Sequence, residues 1–332
     1  MHGARRTRQT PEAIAARKQR EQSKLKDYLS LTEDVIARRK KSDWSKDSFD
    51  LTTRVLQINP EFYTVWNYRR NIMSYGLFVE SSPESINDLL SDDLSMTTMA
   101  LKAHPKVYWI WNHRRWCLEN VPDGPGDSHD WKKANWNREL AVVEKMLDAD
   151  ARNFHAWNYR RYVLANMPER RPEAAELAYT TRKIEANFSN FSAWHQRSKV
   201  YTSLWESGQL NREKSIRDEL ELVKNAMYTD PNDQSAWLYH RWLIGSGNDR
   251  EILESEITAI EELLEEQPDS KWCIESLVHY KRLLIKNHSA EFGAEQTKGL
   301  LSQCVSFLLQ LQTLDPPRRN MYQDIVDTLS AT

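Results

Sequence analysis

Apolar residues in this chain recur at helical spacing, and the spacing repeats in register along its length. Tryptophans stand at Trp66, Trp111, Trp157, Trp194 and Trp237, at intervals of 45, 46, 37 and 43 residues. Six residues before them lie Pro60, Pro105, Ala151, Phe188 and Pro231. Four residues before those anchors are Leu56, Leu101, Leu147, Ile184 and Met227, and eleven before are Phe49, Leu94, Leu140, Leu177 and Leu220. All ten are apolar, and a separation of seven returns to nearly the same helix face. Steps such as Asn59-Pro60 and Asp230-Pro231 favour a turn followed by a fresh helix start. Beyond each tryptophan, the +3/+4 pair and the +7 residue (Met73, Leu118, Leu164, Tyr201, Ile244) share its face. Each unit therefore reads as a helix, a turn and a second helix. A sixth follows the same ruler, with Ile257 and Leu264 ahead of Pro268 and Ile274 in the tryptophan's place.

No stretch alternates with a period of two between hairpin turns, so no sheet is expected. A lone helical hairpin cannot bury its apolar stripe, but hairpins stacked on their neighbours can. The expected fold is all-α. About six hairpin repeats plus C-terminal helices form one domain over residues 42–332, after a basic arm or helix at residues 1–41.

The tryptophans head a cassette: VWNYRR from Val65, IWNHRR from Ile110, AWNYRR from Ala156, AWHQRS from Ala193 and AWLYHR from Ala236. The first reading of this cassette is structural. Tryptophan packs between helices, and arginines pair with acids or cap helix ends in the next unit. On that reading Arg70, Arg115, Arg161 and Arg241 hold the repeats together. A row of arginines facing a ligand is the functional alternative.

Composition narrows the class. Nine glycines in 332 residues and a mean hydropathy of −0.74 fit a helical array with a charged surface. A net charge of −2 gives no global nucleic-acid footprint. Residues 1–41 are the exception, with 12 Lys/Arg against 5 Asp/Glu. That segment reads as a solvated polar helix, with a partner-binding arm as the alternative. Cys117, Cys273 and Cys304 are too widely spaced for a disulfide framework or zinc ribbon, which suits a reducing, cytoplasmic setting. No apolar run reaches membrane-spanning length. A glycine-rich phosphate loop, a nucleophile elbow, HExxH and paired CxxC are all missing from the sequence. If the chain belongs to an enzyme, the catalytic centre is expected on a partner.

Tandem hairpins carrying Trp-Asn-x-Arg-Arg resemble the α subunits of protein prenyltransferases, over residues 45–325. Thr229–Gly245 (TDPNDQSAWLYHRWLIG), Ala186–Ser198 (ANFSNFSAWHQRS), Met1-His2-Gly3, Lys271-Trp272-Cys273 and Asp315–Tyr322 resemble the Rab geranylgeranyltransferase (type II) α subunits more than the farnesyl/type I ones. Larger members carry an immunoglobulin-like insert after the fifth cassette and a leucine-rich repeat domain at the end. Here Gly245 runs almost directly into the sixth unit, so the resemblance is to the compact form.

The resemblance implies a right-handed, crescent-shaped superhelix of hairpins wrapped round a β subunit. That β subunit holds the zinc ion and the isoprenoid pocket, and no cofactor is bound by the α chain alone. The implied reaction moves geranylgeranyl from geranylgeranyl diphosphate to C-terminal cysteines of Rab GTPases presented by Rab escort protein, a step serving vesicle transport. In the third repeat, Arg152 matches the lysine that the farnesyl/type I α subunit aims at the diphosphate. A cation there opposes the negative charge that grows as the C1–O bond breaks, and arginine offers a planar fork where lysine offers a point charge. Asn153, Phe154 and His155 flank it, and Tyr108 is the matching aromatic of the second repeat. The shared Met-His-Gly opening makes His2 a candidate extra ligand to the partner's zinc. Two other readings stay open on the residues alone: a farnesyl/type I α subunit, and a non-enzymatic peptide-binding adaptor of tetratricopeptide type.

Overall fold

The computed structural model describes residues 10–330. Among them are fifteen α-helices and no strand, in two compact units that meet in sequence at Arg170 and Arg171. The first unit holds α1 (Pro11–Lys40), α2 (Lys46–Ile58), α3 (Tyr63–Ile72), α4 (Pro83–Ala103), α5 (Tyr108–Glu119), α6 (Asp130–Ala149) and α7 (Phe154–Asn166). The second holds α8 (Glu173–Ala186), α9 (Phe191–Glu206), α10 (Arg212–Thr229), α11 (Gln234–Ile244), α12 (Arg250–Glu266), α13 (Lys271–His288), α14 (Ala294–Leu314) and α15 (Arg319–Ser330).

From α2 to α13 the helices pair as six hairpins, each joined by four residues, and the turn explains the ruler in the sequence. The residue seven before the tryptophan position ends the first helix, and its carbonyl accepts from the amide three residues on. Val107 to His104 (3.2 Å), Asn153 to Asp150 (3.1 Å) and Ser270 to Gln267 (3.0 Å) are examples. The next carbonyl, six before the tryptophan, accepts the indole N–H. Trp66 donates to Pro60 (2.8 Å), Trp111 to Pro105 (3.0 Å), Trp157 to Ala151 (2.9 Å), Trp194 to Phe188 (2.8 Å) and Trp237 to Pro231 (2.9 Å). A buried indole needs a hydrogen-bond partner, and this one also fixes where the second helix starts. All five tryptophans are buried. Nine of the ten residues four and eleven before the anchors are buried too, and Leu177 is half-buried.

In the first unit α1 packs at its C-terminal end, where Val35 is fully buried, while residues 10–27 are exposed. The Asn59 side-chain amide donates to the Tyr28 hydroxyl at 2.7 Å, tying α1 to the first hairpin turn. A π-helical turn, Met73–Leu77, extends α3 and brings Gly76 against Trp44; a Cβ there would sit 2.2 Å from the Trp44 carbonyl oxygen. In the second unit Ile274 takes the tryptophan's place and packs with Val278, Leu308, Leu311 and Tyr322 of α13–α15.

Candidate functional site

The candidate site is the third hairpin turn, Asp150–Asn153, with the start of α7 and the neighbouring turn before α5. Asp150 Oδ1 accepts the Arg152 backbone N–H at 3.2 Å, and its Oδ2 lies 3.3 Å from Lys106 Nζ. Arg152 itself is exposed. Asn153 is buried and fully engaged: its Oδ1 accepts from the amides of His155 (3.0 Å) and Ala156 (3.4 Å), and its Nδ2 donates to the Pro105 carbonyl (3.1 Å). It caps α7 and locks the third turn onto the second. The structure thus gives Asn153 an internal positioning role, whereas the sequence suggested ligand contact.

Phe154 and Tyr108 open their helices at the surface, 66% and 49% exposed. Their rings flank half-buried His155, with centroids 4.0 Å and 6.3 Å away. Trp109 continues the edge, 5.8 Å from Tyr108 and 5.2 Å from Tyr63, itself 53% exposed. Five aromatic rings therefore run in unbroken succession along the starts of α3, α5 and α7. Burial and the charge of Lys106 both lower the pKa of His155, so at neutral pH its ring is held uncharged among them.

The cassette arginines divide by depth. Buried ion pairs belong to the first of each pair. The Arg114 Nη1 donates to the Leu94 carbonyl (2.6 Å) and to Thr97 (2.7 Å) and Thr98 (2.9 Å) of α4, while its Nε meets Glu139 of α6 at 2.6 Å. Arg69 repeats this with the Phe49 carbonyl, Thr52, Thr53 and Asp93. Arg197 does so with the Leu177 carbonyl, Thr180, Thr181 and Glu219. Each joins the first helix of its own hairpin to that of the next. The fifth cassette has His240 in this place, bonded to the Tyr280 hydroxyl (2.6 Å) and Glu256 (3.0 Å).

The second arginines, which sequence reasoning singled out, are half-buried. Arg70 Nε donates to His113 Nδ1 at 3.3 Å, Arg115 lies over the Tyr162 ring at 4.5 Å, and Arg241 is 3.6 Å from Glu275. Arg161, also half-buried, has its pKa lowered by that burial. The clamp had a sequence signal: a Thr-Thr pair three residues after Phe49, Leu94 and Leu177, and an acid immediately before Leu94, Leu140 and Leu220.

Among the described residues, Asp93, His113 and Cys117 bring three ligand-type atoms within 4.8 Å of one another. They do not fit a cation. Asp93 is ion-paired with Arg69, His113 Nδ1 accepts from Arg70, and His113 Nε2 lies 2.6 Å from Asp93. Two guanidinium groups already occupy the charge, and burial pushes the Cys117 thiol pKa well up. His2 lies outside the described residues.

Comparison with known proteins places this geometry. Residues 45–76, 90–121, 136–167, 174–204 and 216–246 match the protein prenyltransferase alpha subunit repeat. The geranylgeranyl transferase type-2 subunit alpha of Schizosaccharomyces pombe is 37% identical, covering 99% of this chain and 99% of the relative. That of Dictyostelium discoideum is 34% identical over 98% and 99%. The human protein of the same name is 39% identical over 76% of this chain, which spans 43% of that longer relative. Candida albicans protein geranylgeranyltransferase-I, solved in complex with GGPP, shares the fold, with a TM-score of 0.65 and 23% identity over 92% of this chain and 91% of that one.

Proposed function

This chain belongs to the family of geranylgeranyl transferase type-2 alpha subunits, and from that premise we propose that it acts as one half of a heterodimeric enzyme. In this reading the enzyme transfers geranylgeranyl from geranylgeranyl diphosphate to C-terminal cysteines of Rab GTPases, presented by Rab escort protein. The β subunit holds the zinc and the isoprenoid pocket, and the pair works in the cytoplasm.

The observation that carries the proposal is the edge built by the second and third hairpin turns. A run of exposed rings on a folded chain is a surface for a partner. Its outward aromatics sit three residues before the tryptophan in three successive repeats of the first unit: Tyr63, Tyr108 and Phe154, each about half exposed or more. Packing within the chain does not call for that repetition. Cations stand beside the rings at Arg152 and Lys106.

On this chain the chemical work is electrostatic and positional. Arg152 meets the negative charge that develops on the departing diphosphate. Its backbone is fixed by Asp150, and its turn is anchored to the preceding one through Asn153. Phe154, His155 and Tyr108 exclude water from the mouth, with the imidazole uncharged. When bound by the partner, zinc supplies a thiolate nucleophile from the acceptor cysteine.

Co-expression with a type-2 β subunit and, separately, with a type-1 β subunit tests the assignment. A stable heterodimer with the first alone is expected. A complex with the type-1 subunit alone would return the farnesyl/type I reading, and none with either would return the adaptor.

A further inference from the structure

Helix α1 ends in a turn that glycine usually makes. Ser42 and Asp43 follow its cap, Lys41, and their amides donate back to the carbonyls of Arg39 and Arg38, each at 3.1 Å. This pattern puts the residue after the cap in the left-handed region, where a Cβ is disfavoured and glycine is the common choice. Serine holds the place here, with a φ of 54°. Packing does not call for it: Ser42 is exposed, and among the described residues its hydroxyl has no hydrogen-bond partner.

The four residues ahead of it are Arg38-Arg39-Lys40-Lys41. Arg39, Lys40 and Lys41 are exposed, and among the described residues no carboxylate pairs with them. Such a run is ordinarily a solvated face, but this one abuts a free hydroxyl held at a conformational cost. Among the described residues, three hydroxyl side chains have an arginine three places ahead: Ser23, Ser42 and Ser215. Ser23 lies inside α1. Ser215 lies inside α10, buried, with its hydroxyl donating to the Asn211 carbonyl at 2.5 Å. Ser42 alone of the three stands outside a helix with its hydroxyl open to solvent.

We propose that Ser42 is a phosphorylation site for a protein kinase of the basophilic class, whose acidic pockets read the basic run ahead of it. The inference is independent of the reaction assigned above. Ser42 Oγ attacks the γ-phosphorus of a nucleoside triphosphate. The Oγ–P bond forms, the bond from that phosphorus to the β–γ bridging oxygen breaks, the nucleoside diphosphate leaves, and the hydroxyl proton passes to the kinase's base. A kinase cleft takes its substrate extended, so the last turn of α1 has to open, and a left-handed serine makes that opening easier. The product carries about two negative charges just past the end of α1, where the helix carbonyls are already partly negative. It adjoins Asp43 and competes for Arg38, which lies 3.0 Å from Asp34 and 3.7 Å from Asp43. The Asp43 carbonyl accepts the Tyr68 hydroxyl at 2.5 Å, and the Trp44 ring packs on Tyr68 and Tyr75. Phosphorylation thereby loosens the seat of α1 on the first hairpin.

The test incubates the full chain with ATP and the catalytic subunit of a cyclic-AMP-dependent kinase, and locates phosphate by peptide mass spectrometry. Phosphate at Ser42, absent from both Ser42→Ala and Ser42→Gly, is expected. Arg39→Gln should slow its incorporation by about tenfold with the melting temperature unmoved. A synthetic peptide of residues 36–46 shows what the kinase does when the turn is open. A peptide that takes phosphate while the folded chain does not would overturn the assignment. So would a peptide that takes none, or phosphate on Ser23 in place of Ser42. Amide hydrogen exchange over residues 35–45 reads the consequence, and phosphorylation should quicken it by about fivefold. Exchange that is unchanged or slower would overturn the loosening and leave the acceptor assignment standing.

Discussion

A buried arginine is stable only if every donor is met and its charge is balanced, and the cassette clamp achieves both with one guanidinium. Arg114 is 1% exposed and Glu139 is 2%. Burial works to lower the arginine's pKa, but the carboxylate beside it more than reverses this. Removing one partner leaves an uncompensated interior charge, so Arg114→Ala or Glu139→Ala should each cost about 3–5 kcal/mol in a urea titration. Arg114→Met with Glu139→Leu should cost much less than the two single losses combined, because no charge is stranded. Titration at His279 makes a second prediction. Burial, with Arg241 and Arg282 nearby, lowers its pKa to about 4, and burial lowers that of His113 as well. Unfolded histidines take up protons below about pH 6.5, and these native ones resist until the pH is lower. The unfolded chain thus binds more protons, and stability should fall as the pH drops from about 6.5 toward 4. Buried carboxylates such as Glu256, whose pKa is lowered against the pull of burial by His240 and Lys224, add their own loss at still lower pH. The urea midpoint measured across that range should decline, and His279→Gln should shallow the upper part of the slope.

Each hairpin is set by a small group of residues that do several tasks at once. The indole of Trp111 fills the gap between helices and donates to Pro105, whose carbonyl also receives Asn153 from the next hairpin. Trp111→Phe should therefore cost more than the ~1 kcal/mol of one net hydrogen bond, and Trp111→Ala about 3–5 kcal/mol, by thermal or chemical denaturation. Gly76 lies in the π turn where Trp44 closes on the backbone. Gly76→Ala should lower stability by about 1–3 kcal/mol through overpacking; an unchanged melting temperature would show that Trp44 gives way freely. The helices, their pairing and the six turns were legible in the chain because Trp66, Leu56 and Phe49 and their counterparts keep one spacing. The clamp was harder to read. Arg69 and Arg70 are adjacent, and only the helix geometry decides which turns inward. Its acid, Asp93, lies 24 residues away in sequence, beyond the reach of local periodicity. The depth of Asn153 was hidden for a similar reason: it stands in sequence beside an exposed Arg152 and Phe154, yet its place as N-cap turns it inward.

At the scale of the molecule, α2 to α13 pair as hairpins, yet in each unit some exposed surface is not used by that pairing. In the first unit it is the ring succession from Tyr63 to Phe154 with Arg152 and Lys106 beside it, and a chain built only to hold itself together would not repeat exposed aromatics at one register. The family assignment, an alpha subunit, implies a partner subunit, and the proposed function seats that partner and the departing diphosphate at this edge. Part of this was evident in the sequence through the Trp-Asn-x-Arg-Arg cassettes. The continuity of the edge was not, because it depends on neighbouring turns locking together through Asn153 and Pro105. The most direct test is transfer of labelled geranylgeranyl from its diphosphate to a Rab–escort complex, comparing this chain alone, its β subunit alone and the co-purified pair. Robust transfer by the pair, with neither chain active by itself, is the predicted result. Transfer by the β subunit alone at the rate of the pair, or no transfer by a well-formed pair, would contradict it.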